Sequence, residues 1–150
     1  MYVRPSTDQI IEGACRELDE QVLPLLPAGS PASVLVQQMV QLLRGCAVRA
    51  AHEIAWMHEE TAAIVEAVAG IDDEATAAAL AAYRAAPAGG LHLDEVAHRY
   101  DLASRALGAA VEAAYRSGDV AQQESLRALL RSRSANEMAV VGALELVGRG

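Results

Sequence analysis

The sequence predicts an all-α protein, an antiparallel bundle of about five helices, and three observations lead there. By count, 32 of the 150 residues are alanine, the strongest intrinsic helix former and a side chain small enough to let helix backbones approach closely. Apolar residues recur at alternating steps of three and four along most of the chain, and no period-two pattern persists. Proline and glycine clusters cut these stretches apart with short connections, the arrangement that places successive helices side by side. There is no phenylalanine and one tryptophan, Trp56, so the core has few bulky rings to build on.

The elements follow in order. Ser6 and Gln9 have the spacing of a capping box, and Ile11, Cys15, Leu18, Val22 and Leu25 form one apolar stripe behind it. Pro24 and Pro27 cannot continue the hydrogen-bond ladder, so this helix is expected to stop near Leu23. Ser30 then reads as an N-cap with Pro31 as the first helical residue. The second stripe runs Leu35, Met39, Leu42, Cys46, broadened by Val36, Val40 and Leu43. It continues through Ile54, Met57, Ile64 and Val68 to a stop at Gly70. Unbroken, such a helix would approach about 60 Å in length, more than a compact domain of this size covers. Either Gly45 marks a bend or a partner covers the overhang.

Asp72 reads as the cap of a third helix beginning Asp73-Glu74 and carrying Leu80, Tyr83 and Arg84 up to the break at Pro87-Ala88-Gly89-Gly90. A fourth helix starts near Leu93 and carries Val96, Tyr100, Leu107, Val111 and Tyr115. Ser117-Gly118-Asp119 supplies a stop and a fresh N-cap. The last helix bears Val120, Leu126, Leu129, Leu130, Met138, Val141 and Leu144 on or near one face. No repeat of solenoid length appears, and the whole of 1–150 reads as a single helical domain.

Composition narrows the function classes. Hydrophobic residues make up 53% against 21% charged, and mean hydropathy is positive at +0.16, more apolar surface than one small helical core hides. The surplus is expected at an interface, in a homodimer or against a different partner, through apolar helix faces. A formal charge of −8 gives no footprint for nucleic acid or anionic membranes. All twelve basic residues are arginine, which suits bidentate ion pairs between helices, though a GC-rich genome is the simpler reading of the bias. From Gln21 to Leu43 there is no charge, yet Pro24, Pro27 and Pro31 with Gln37, Gln38 and Gln41 exclude a membrane-spanning helix. Cys15 and Cys46 lack metal spacing and are expected as small buried hydrophobes in a reducing cytoplasm. The opening residues lack a secretory apolar stretch, so a cytoplasmic protein is expected.

The densest group of functional side chains is His52-Glu53-Ile54-Ala55-Trp56-Met57-His58-Glu59-Glu60. Zinc-protease chemistry needs two histidines four apart on one helix face. His52 and His58 are six apart, which turns them roughly 240° from each other. His52, Trp56 and either Glu59 or Glu60 do share a face and are ligand-binding candidates, with His98 from a second helix. Glu53 and Glu60 lie seven apart and are metal-ligand candidates if other helices add oxygens.

Glu95-Val96-Ala97-His98 has the glutamate-x-x-histidine spacing of carboxylate-bridged di-iron bundles, and adds Glu95 and His98 to the metal candidates. A complete site needs that motif twice, and it occurs once. An ordinary helix ion pair of His98 with Asp94 or Glu95 is the simpler reading. Glu17 and Glu20 resemble the acid pairs that all-helical nucleotide pyrophosphohydrolases gather around magnesium, but no second such pair follows. There is no phosphate loop and no nucleophile elbow, so no catalytic residue is assigned and no cofactor is implied.

Arg4-Pro5-Ser6, Ile10-Ile11-Glu12, Leu18 and Gln21-Val22-Leu23-Pro24-Leu25-Leu26 resemble the start of an uncharacterised family of small helical bacterial proteins. Its members are encoded beside kinases resembling aminoglycoside phosphotransferases and beside acyl-CoA dehydrogenases. The resemblance covers about the first third of the chain. It implies an accessory protein in acyl-CoA or small-molecule metabolism, with no catalytic residues to carry over. The sequence therefore points first to a non-catalytic, self-associating helical accessory protein. The alternative is a small-molecule or metal-binding bundle, or a metal-dependent hydrolase, with its pocket around His52, Trp56, Glu60 and His98.

Overall fold

The computed structural model describes residues 4–142. It is an all-α bundle of five α-helices, with no strand among the described residues. Helix α1 spans Thr7–Glu17. Its entry is the expected capping arrangement, with the Ser6 N–H donating to Gln9 Oε1 at 3.1 Å. Helical winding then runs two residues past the expected stop, widening into a π-helical turn at Leu18–Val22 and tightening into a 3-10 turn at Leu23–Leu25. Pro24 is tolerated there because the opening positions of a new turn need no N–H. The chain leaves the helix at Leu26, which Pro27 pushes into extended backbone.

Helix α2 spans Pro31–Val68, 38 residues without a break, so Gly45 does not interrupt it. Ser30 Oγ accepts the Ser33 N–H at 3.2 Å and caps its start. Helix α3 spans Glu74–Ala85, and its cap is Asp73 rather than Asp72. Asp73 Oδ2 accepts the Thr76 N–H at 2.9 Å and the Thr76 hydroxyl at 3.0 Å. Helix α4 spans Leu93–Ser117 and ends on Gly118, whose φ of +73° is the left-handed cap that favours glycine. Asp119 Oδ1 then accepts the Gln122 N–H at 3.0 Å, opening α5 over Val120–Val141. Leu144, expected on this last helix, lies outside the described residues. No helix among the described residues is long and apolar enough to cross a membrane.

The described chain falls into two compact units, residues 4–53 with 136–142 and residues 54–135, and both α2 and α5 run through the division. The second unit holds a well-filled core of Ile64, Val68, Leu80, Ala103, Ala106, Leu107, Ala110, Ala114 and Leu126. Four of those nine are alanines of α4, the close-approach residues that the composition led us to expect. In the first unit the buried residues among those described are Cys15, Ser33, Val40 and Ala47. Cys15 lies against α2 with its thiol directed at the Val40 carbonyl, 3.8 Å away, and Arg44 reaches Asp19 at 2.6 Å.

Candidate functional site

Helix α2 carries two lines of small or apolar residues in the first unit, and they meet different fates. Ser33, Val40 and Ala47 recur every seven residues and are buried. Leu35, Met39, Leu42 and Cys46 recur in steps of four, three and four, and stand roughly 130° around the helix from the first line. This second line is the stripe expected in the core, and it is exposed: Leu35 at 57%, Met39 at 46% and Leu42 at 72%. Cys46, expected to be buried, is exposed as well, whereas Cys15 is buried as expected. The line that α1 covers is set by the Cys15 contact with Val40, which leaves the richer stripe uncovered.

The same stripe changes character along the helix. Ile64 follows Cys46 by eighteen residues, five whole turns, and therefore lies on the same line. Ile64 and Val68 are fully buried in the second unit's core. Within the second unit α2 is buried at Ile64 and Val68, and within the first it leaves Leu35, Met39 and Leu42 exposed.

A groove of about 540 Å³ opens beside the bare stripe, lined by Leu42, Gly45, Cys46, Arg49, Val140 and Val141 with Gln38 and Gln41 at its rim. Gly45 gives it its shape: a Cβ there would lie 2.8 Å from the Val140 carbonyl oxygen. Glycine therefore lets the end of α5 rest directly on the α2 backbone. Arg49 borders the groove and is held by Glu53 at 2.8 Å, one helical turn on. Its walls are apolar with amides at the rim, and among the described lining residues no nucleophile is paired with a base.

The sequence-derived site residues are distributed as follows. His52 is exposed and Glu53 half-buried on α2 in the first unit, with Glu53 committed to Arg49. Trp56 and Glu60 are half-buried on α2 in the second unit. Glu60 has become the centre of a structural network: its Oε1 accepts the Tyr100 hydroxyl at 3.1 Å and the Arg133 Nε–H. Arg133 also donates to Ser104 Oγ at 2.9 Å and lies over the Tyr100 ring, 5.0 Å from its centre. Burial pushes the Tyr100 hydroxyl above its ordinary pKa, with Arg133 opposing the shift. Glu95 and His98 are both exposed on α4. Glu95 Oε2 accepts the Gly90 N–H, and Asp94 Oδ1 accepts the Glu95 N–H at 3.0 Å. Neither carboxylate forms the expected ion pair with His98 among the described residues. Nor does any group of three or more His, Cys, Asp or Glu among the described residues have the geometry to hold a metal ion.

Sequence reasoning passed over Arg133, which stands 73 residues from Glu60, and the pairing of Gly45 with Val140. The signals for the bare stripe were the apolar surplus of the composition, the length of the second helix and the uncharged run from Gln21 to Leu43. No protein-family model, curated protein or solved structure matches the chain.

Proposed function

We propose that this protein is a non-catalytic helical module that works by association, and that the N-terminal half of α2 is its self-association surface. The observation that carries this reading is the bare stripe Leu35, Met39, Leu42 and Cys46 beside an apolar groove. Apolar residues at this spacing, uncovered over more than two turns, remain in water only at a cost that a neighbouring helix removes. Among the described residues the first unit buries four, Cys15, Ser33, Val40 and Ala47, so association would add core to it. The resemblance of the first third supports an accessory role beside a metabolic enzyme.

Light scattering of the purified chain across micromolar concentrations tests the reading. A particle heavier than the 15.8 kDa chain is expected, falling to single-chain mass in the Leu42→Glu variant. A single-chain particle at every concentration overturns it.

A further inference from the structure

Helix α5 delivers the rest of the chain to the edge of the apolar groove. We propose that residues 143–150 of the same chain seat in that groove and there compete with a neighbouring helix for Leu42 and Cys46; only the competition rests on the association reading above. Three features choose this occupant. First, Val140 and Val141 form one wall of the groove. The Gly142 N–H donates to the Met138 carbonyl at 2.9 Å, and its φ of +66° is the left-handed turn that ends a helix. The segment therefore starts beside the groove, one residue past its wall.

Second, the segment matches the groove in length and chemistry. Along α2 the groove runs from Gln38 to Arg49, eleven residues of rise or about 16 Å, and eight residues span at most about 26 Å. Leu144, Leu146 and Val147 bring apolar side chains to apolar walls. In an extended chain Leu144 and Leu146 would share one side, with Glu145 turned to the other.

Third, tethering favours this segment over any occupant that arrives from solution. A short stretch joined to the groove's own wall meets it at an effective concentration of roughly millimolar. Its one acid, Glu145, is balanced by its one base, Arg149, so it approaches without the repulsion that two chains of formal charge −8 must overcome. The segment thus sets how readily the groove opens to a neighbour.

The rate at which N-ethylmaleimide modifies Cys46 in the full chain tests the placement. Cys46 lines the groove, and peptide mapping separates it from the buried Cys15, which stays unmodified while the fold holds. Leu144→Glu with Leu146→Glu is expected to raise the Cys46 rate about tenfold, the effect of losing one buried leucine from the contact. This holds at dilutions where the rate no longer depends on protein concentration. Leu144→Met with Leu146→Met keeps the apolar surface and should keep the slow rate. By light scattering, the glutamate variant is expected to form its multi-chain particle at lower concentration. Equal Cys46 rates in the unmodified chain and the glutamate variant overturn the placement. Protection that disappears on dilution overturns it too, and gives the groove to a neighbouring copy. Protection that survives dilution in a chain of single-chain mass at every concentration upholds the placement and overturns the association reading instead.

Discussion

Gly45 sits so close to Val140 that a methyl group on its Cα would lie 2.8 Å from the Val140 carbonyl oxygen. That oxygen is backbone and cannot rotate away as a side chain would. Gly45→Ala is therefore expected to destabilise the protein although alanine is the better helix former. Gly108, mid-way along α4, meets nothing within 4 Å of an added Cβ. There the intrinsic preference acts alone, and Gly108→Ala should stabilise by about 0.5–1 kcal/mol. Urea unfolding of both variants checks the pair; equal effects would show that α5 does not bear on Gly45.

Arg133 and Glu60 make the second test. The Glu60 side chain is only 10% exposed and its carboxylate depends on Arg133 for its charge partner. Arg133→Ala strands that charge and is expected to cost about 3 kcal/mol or more. Replacing both residues together, Glu60→Leu with Arg133→Met, should recover part of the loss, because an apolar pair of similar volume carries no buried charge, while the Tyr100 hydroxyl and Ser104 still lose their partners. A double-mutant cycle of Glu60→Leu, Arg133→Met and the two together in chemical denaturation measures the coupling. Additive losses would mean that the two side chains do not depend on each other.

These residues also show how far the sequence was legible. Helix type and most boundaries were readable because Ser6, Ser30, Gly118 and Asp119 act locally, through bonds to backbone two to four residues away. The choice between Asp72 and Asp73 as the cap was not, since both precede Glu74; Asp73 takes the role by accepting the Thr76 N–H and hydroxyl. Periodicity found the stripe on α2 but not its fate: a helix with two lines of small or apolar residues offers either to a neighbour, and Cys15 on α1 takes the line of Val40. Glu60 was legible as a functional-looking acid. Its commitment to Arg133 depends on a contact across 73 residues, which no local pattern encodes.

Asp73 gives a pH dependence with a definite sign. Its carboxylate is held below the ordinary aspartate range first by the Thr76 N–H and then by the Thr76 hydroxyl, with Arg116 adding to the effect. A lowered pKa in the folded state means that the contribution is present above the unfolded value, about pH 4, and is lost as pH falls through the folded one. Melting temperatures measured from about pH 5 down to about pH 3 should fall more steeply for the unmodified chain than for Asp73→Ala, which starts lower. Parallel curves would remove Asp73 from the acid response.

Alanine's abundance has two separate physical readings, and one substitution tells them apart. If alanine serves only as a helix former, any good helix former will replace it on α4. If it serves to let helices approach, a larger side chain at a buried position must push them apart. Ala110 is completely buried in the core with Ile64, Val68, Leu80 and Leu126, and leucine is nearly its equal in helix propensity. Ala110→Leu is therefore expected to cost about 1–3 kcal/mol through overpacking. Ala128→Leu, at an exposed position of α5, should stay within about 0.5 kcal/mol of the unmodified chain. Urea denaturation of the two variants side by side decides the matter. Equal tolerance at both positions would mean that close approach along α4 is not what the alanines provide.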